Sequence, residues 1–447
     1  MLLLDARRTV TNLICASNAQ HRDWTADYRL YSQERLDPSK LFAPVLEALV
    51  AKLSRSESRR VVAGIDDTIL RKTGRNIAGV GWKRDPLGPP FQTNLVRAQR
   101  WLQLSVAWPL EQGAARLLPV CLRHAPSPPK PPKNAPPRQR ESYREALKQQ
   151  NLNRVAREQI AELRGKLPDS MPLTIVGDGS FTHGNLLKQL PGGCVYIGRT
   201  RKDLALHHLP IPPGASPGGR PRSYGQKAPT PEQLRQDETR PGIEIEAFAA
   251  GRRHTFKVKT LGPLLWRKTG AGRPVRLLVI APLAYRPRQG AKLLYRKPAY
   301  LLCTDPDKPP AEILQEYLWR WGLEVNFRDE KTLLGLGEAQ VRTAPSNRTL
   351  PPALAAAYSL LWLSALQTGW SPRELSEALR PKWRRSGAHQ EPAEAPCTGA
   401  LLRQLRFEML GAALRPATFS HFVNPAQGEA KPEKLRPSLP GMLFSAA

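Results

Sequence analysis

Short apolar runs rich in β-branched residues, each closed by Asp, Gly or Pro, recur along the chain and alternate with stretches of helical spacing. RRVVAGIDDTIL carries Val61, Val62 and Ile65 into Asp66 and Asp67, which predicts a buried strand that stops at two aspartates and delivers them at its carboxyl end. WLQLSVAWPL (101–110) and RLLPVCL (116–122) read as the next two strands, with EQGAA as the turn between them, so three consecutive antiparallel strands are expected. APSPPKPPKNAPPR can be neither helix nor central strand and reads as an exposed connector. After it, Leu147, Val155, Ile160 and Leu163 mark one long amphipathic helix that Pro168 ends.

PLTIVGDGSF predicts a second buried strand, Leu173 to Val176, running into Asp178 between two glycines that let the backbone turn and expose the carboxylate. A short helix (NLLKQL) and a strand (CVYIGRT) follow. Between about Lys202 and Pro274 the character changes: PPGASPGGRPRSYGQ is rich in Gly and Pro, and IEIEAF and HTFKVK alternate as surface strands do. This predicts an insertion with its own small sheet. VRLLVIAP and AYLLCTDP return to buried strands, and ALAAAYSLLWLSAL (353–366) reads as a buried core helix.

Charge narrows the class. The 447 residues hold 68 Lys and Arg against 38 Asp and Glu, a net charge of +30 with a pI near 10.5. Such an excess points to a polyanion, most often nucleic acid. Basic clusters at RTRK (199–202), GRPR (219–222), GRRH (251–254) and PKWRRS (381–386) are candidates for backbone phosphates. Five cysteines without a CxxC pair argue against a disulfide framework or structural zinc and fit a reducing cytoplasm. MLLLDARRTVTN carries charge too early for a signal peptide, and the longest apolar run falls short of the ~20 residues that span a bilayer, so no membrane partner is expected.

The candidate chemistry is concentrated in YLWRWGLEVNFRDEK (317–331). On one helix Tyr317, Arg320, Glu324 and Lys331 would leave the same narrow face, an acid among phosphate binders. Asp67, Asp178 and Glu324 are then three acids at element ends or on a helix face, with Asp66 the local competitor of Asp67. Phosphodiester hydrolysis or transesterification assisted by two Mg²⁺ ions needs such a set, because hard cations take oxygen ligands and only clustered anions hold two of them ~3.5–4 Å apart. His183, five residues beyond Asp178, suits a helix start or substrate contact better than Mg²⁺.

With DDT at 66–68, VGDG at 176–179, AYLLCTDP and the full Tyr-Arg-Glu-Lys set, the chain from about Val61 to Lys331 resembles the DDE transposases of bacterial insertion sequences that carry this signature. The resemblance implies an α/β fold with a ribonuclease H-like core, a mixed sheet flanked by helices, and a β-rich insertion between the second and third acids. The organisation is then a short helical N-terminal region (1–60), the first part of the core (61–201), the insertion (202–274), the second part of the core (275–380) and a C-terminal basic region (381–447). Asp67, Asp178 and Glu324 become the catalytic, metal-binding triad, taking two Mg²⁺ ions for which Mn²⁺ can substitute. Tyr317, Arg320, Arg328 and Lys331 become DNA contacts, and Trp266, in LLWRKTG, the aromatic that stacks on a flipped base, with Trp319 and Trp321 as alternatives. The expected activity is cut-and-paste transposition on double-stranded DNA, both terminal inverted repeats and target, by a homodimer working at the nucleoid in the cytoplasm. The competing readings are an inactive or domesticated DNA-binding derivative and a ribonuclease H-like nuclease without strand transfer; fewer than seventy residues precede the first acid, with no clear DNA-binding domain among them.

Overall fold

A computed structural model describes residues 1–369 and 397–411, apart from 5–6, 18, 34, 57–58, 75, 86–87, 90, 93, 211–221, 271 and 287–289. The PKWRRS cluster, most of GRPR and most of the C-terminal basic region lie outside the described residues. Four short helices open the chain: α1 (Val10–Ala16), α2 (Thr25–Ser32), α3 (Pro38–Leu41) and α4 (Ala43–Ser54). The strands are β1 (Val61–Arg71), β2 (Gly81–Arg84), β3 (Leu95–Pro109), β4 (Ala115–His124), β5 (Leu173–Gly177), β6 (Cys194–Arg199), β7 (Ile243–Ala249), β8 (Arg252–Leu265), β9 (Pro274–Ile280), β10 (Ala284–Tyr285), β11 (Leu294–Tyr295) and β12 (Ala299–Cys303). Between and after them come α5 (Pro137–Gln149), α6 (Leu152–Gly165), α7 (Gly184–Lys188), α8 (Pro231–Gln236), α9 (Pro310–Trp319), α10 (Trp321–Thr332), α11 (Ala344–Gln367) and α12 (Thr398–Gly411).

Among the described residues one ten-stranded mixed sheet runs β2-β3-β1-β5-β6-β12-β9-β8-β7, with β4 on β3. This is the helix-flanked mixed sheet of a ribonuclease H-like core. The β3–β4 hairpin and the antiparallel β1–β3 pair form as the alternation predicts. β1 differs: it does not stop at the aspartates but continues to Arg71. Its parallel pairing with β5 ends at Ile65 opposite Gly177, while β3 continues to pair with it, Asp66 opposite Gln103 and Asp67 opposite Leu102. The acids thus leave a strand interior where one neighbour has just ended, which opens a notch at the end of β5.

Successive strand residues face opposite sides. Val62, Gly64 and Asp66 share one face, and Ala63, Ile65 and Asp67 the other. On the second face Ala63, Ile65, Leu102 and Leu104 pack with Val45, Leu49 and Leu53 of α4 and Ile160 and Leu163 of α6. On the first face lies α10. A Cβ on Gly64 would stand 2.8 Å from Leu323 Cδ1, so glycine is what lets the helix approach the sheet this closely.

Three sequence expectations change. The insertion forms no sheet of its own: β8 pairs with β9 from Val258 opposite Ile280 to Leu265 opposite Pro274, and β7 extends the same sheet. The ladder groups of β9 take their partner from the nearest alternating strand, and Gln315 of α9 ties β7 down by bonding both the amide (2.8 Å) and the carbonyl (3.1 Å) of Phe248. The long amphipathic helix is two. Asn151 breaks it by capping α6, its side chain accepting from the Arg154 amide at 2.9 Å, and α5 buries no side chain, so only α6 packs on the sheet. The helix expected through 317–331 is also two segments, joined at Arg320. Arg320 keeps helical angles (φ −51, ψ −32), but the turn tightens, with bonds from the Arg320 amide to Tyr317 O (3.1 Å) and from the Leu323 amide to Arg320 O (2.9 Å). The joint lets α9 hold β7 while α10 lies on β1 and β4, where Gly322 leaves room for Leu117.

α11 is buried, as its composition predicts. Among the described residues it is the one helix long and apolar enough to cross a membrane, and 78% of its most apolar window is buried in the protein. All five cysteines are free.

Candidate active site

Arg320 is the organising side chain. Its guanidinium donates to Asp66 Oδ2 at 2.9 Å and to Glu324 Oε1 at 2.9 Å, joining β1 to α10 across 254 residues of sequence. Its charge also lies 5.9 Å from the centre of the Tyr317 ring. Tyr317, Arg320 and Glu324 therefore do share a face, and Asp66 completes the group.

Asp178 stands in the turn after β5. Its Oδ1 accepts from the Ser180 amide at 2.8 Å and the Ser180 hydroxyl at 2.6 Å, an arrangement that fixes the carboxylate beside the notch. Its charge raises Asp66, Asp67, Tyr196 and Tyr317, in each case after burial as the larger cause. Tyr196, fully buried on β6, contacts the Thr182 hydroxyl (3.3 Å) and donates to the Asp178 carbonyl (3.4 Å), bracing the turn from below. Sequence reasoning missed Tyr196, although its place in the strand after Asp178 was readable.

Asp66 and Asp67 part company here. Burial pushes the Asp66 carboxyl up to about 7 against the pull of Arg320, and the like charge of Asp178 adds to the rise. Asp67, on the opposite face, is likewise raised by burial and by Asp178, but its ion pair is with Arg100 of β3 at 3.2 Å. The acid joined to Glu324 is thus Asp66, whereas the sequence reading favoured Asp67. Strand alternation explains the difference: only the even-numbered residues of this stretch face α10.

Other expectations separate from the cluster. Lys331 lies two turns beyond Glu324, its ammonium lowered by burial, near the Arg71–Asp85 pair rather than Arg320. Arg328 points outward and pairs with Asp329 at 2.9 Å. Trp266 is 7% exposed within the main core, which leaves little of its ring for a base to stack on. Trp319 donates to Gly113 O at 2.9 Å, and Trp321, between Arg320 and Glu324, is 57% exposed. His183 caps α7, its Nδ1 accepting from the Asn185 amide at 3.3 Å, the helix start expected of it.

The donors at the notch are carboxylates, the kind that hard divalent cations take. Among the described residues no three of them converge closely enough to hold an ion, and the Arg320 guanidinium spans Asp66 and Glu324. Burial is the main cause of the raised Asp66 carboxyl, with the like charge of Asp178 added, and a cation beside it would offset both, so the group fits a cation in kind. Asp66, Asp178 and Glu324 would hold it, once Arg320 turns aside.

A family profile described as DDE superfamily endonuclease matches residues 1–273, from α1 through β8. The comparison with curated proteins gave no match.

Proposed function

The chain belongs to the DDE superfamily endonucleases, and on that premise we propose that it is a transposase that cuts double-stranded DNA at the ends of an insertion sequence and joins them to a target. The observation that carries the reading is the Arg320 bridge: one guanidinium holds a strand acid and a helix acid at 2.9 Å each, beside a third acid fixed in a turn. An arginine that only stabilised a helix face would need Glu324 alone. Endonucleases of this superfamily use divalent metal ions, and here Mg²⁺, with Mn²⁺ able to replace it, would activate the attacking oxygen and stabilise the leaving one.

The protein's own residues have distinct tasks. Asp178 is held ready by Ser180, so little reorganisation precedes its use. Arg320 neutralises Asp66 and Glu324 while DNA is absent. Faced with the scissile phosphate it has a planar fork suited to two phosphate oxygens, and by moving there it would free both carboxylates together. Tyr317, under the guanidinium, is the hydrogen-bond donor next to the same phosphate. Arg328, exposed beyond Glu324, is a backbone contact further along the strand.

The reading is tested with a DNA fragment carrying the element's inverted repeats, incubated with Mg²⁺ and a target plasmid. Cut ends and joined products are expected from the wild type, and neither from Asp178→Asn. Cutting without joining would reduce the chain to a nuclease, and DNA binding without either to a derivative that has lost its chemistry.

A further inference from the structure

A second constellation, which the acids do not explain, lies at the far end of β8. A cleft of about 560 Å³ is lined by Arg222, Lys227, Arg267, His207 and Tyr224 without a carboxylate among its walls. Its frame is rigid. The His207 amide donates to Leu265 O (2.9 Å) and the Leu265 amide to His207 O (2.7 Å), while on the other side the Gly225 amide donates to His208 O (3.0 Å) and the His208 amide to Gln226 O (2.9 Å). A Cβ at Gly225 would collide with the Leu209 carbonyl, so the wall can close only on glycine. The Tyr224 ring stands between His207 (5.7 Å) and the Arg267 guanidinium (5.6 Å).

Arg222, Lys227 and Arg267 have no ion pair among the described residues, although Arg235 and Arg240 in the same insertion each have one. Three unpaired cations on a hydrogen-bonded frame, with a ring beside them, have the chemistry of a phosphate site next to a sugar or base. We infer that this cleft binds a backbone phosphate of the DNA substrate, an inference that rests on the function proposed above. In sheet order β8 lies four strands from β5, roughly 19 Å sideways at the usual strand spacing, and the register sets its Leu265 end level with the start of β5 rather than with Gly177. The cleft would therefore grip DNA well away from the bond that is cut.

The test uses the full chain, a fluorescent duplex of about 30 base pairs and anisotropy titrations across salt, since each phosphate contact contributes about 0.9 to the log-log slope. Lys227→Ala with Arg267→Ala should make the slope shallower by about 0.9 and weaken binding at low salt by at least about tenfold. Lys148→Ala with Arg154→Ala removes the same charge from α5 and α6 and should leave the slope as it was; both pairs are checked for an unchanged melting temperature. An unchanged slope for the cleft variant overturns the inference. So does a cleft that proves to serve free anion: inorganic phosphate stabilising the wild type and not the variant against heat, with duplex binding equal in both. Because the readout is binding, a chain that never cuts DNA but loses slope in the cleft variant would refute the transposase reading and keep the cleft.

Discussion

Glu330 shows how one residue's protonation follows from its surroundings. It is fully buried on α10 beside Gln103, and both its oxygens and Gln103 Oε1 lack hydrogen-bond partners among the described residues. Burial pushes Glu330 up to about 8, against the pull of Gln103 and Lys331. An acid raised in the folded state lends stability below its unfolded value, about 4.5, and loses it as pH rises through the folded one. Glu330→Gln should therefore raise the melting temperature at pH 8 and change it little at pH 5; equal shifts at both would mean that Glu330 is ionised throughout. The same reasoning ranks the signature residues. Arg320 touches two acids and Lys331 none of them, so Arg320→Ala should cost far more in single-turnover end cleavage than Lys331→Ala.

At the scale of elements, α10 is held by a polar pin. Asn326, fully buried, donates to Leu117 O of β4 (3.1 Å) and accepts from the Tyr358 hydroxyl of α11 (3.0 Å). Asn326→Ala removes both bonds, leaving the Tyr358 hydroxyl only its bond from Arg116, and should lower unfolding free energy by about 2–3 kcal/mol in urea titration, with cleavage falling because Glu324 sits half a turn away. A loss under about 0.5 kcal/mol would show that packing alone seats the helix. Elements of this kind were legible wherever one face is buried: β1, β3, β4, β5, β6, β9 and β12 stand where alternation and apolar runs placed them. What could not be read was long-range pairing. The partner that carries β1 past its acids is β3, and the partner of β8 is β9; neither is a local property of the sequence. The breaks at Asn151 and Arg320 were missed for a related reason, since helical periodicity runs across a tightened or capped turn.

At the scale of the whole molecule, cations outnumber acids by 68 to 38, which suits a polyanion as substrate. Composition announced that partner, and the family profile, ending at residue 273, agrees with the fold while stopping short of Glu324. The third acid therefore rests on geometry, as does the choice between the two aspartates of β1. That choice is the most direct point of attack on the account. The measurement is the initial rate of Mg²⁺-dependent end cleavage by Asp66→Asn and Asp67→Asn, each confirmed folded and each still binding the end DNA, with Glu324→Gln as the baseline. If Asp66 works with Glu324 and Asp178, Asp66→Asn falls to that baseline and Asp67→Asn retains measurable cleavage. Cleavage that survives in Asp66→Asn and vanishes in Asp67→Asn would contradict it.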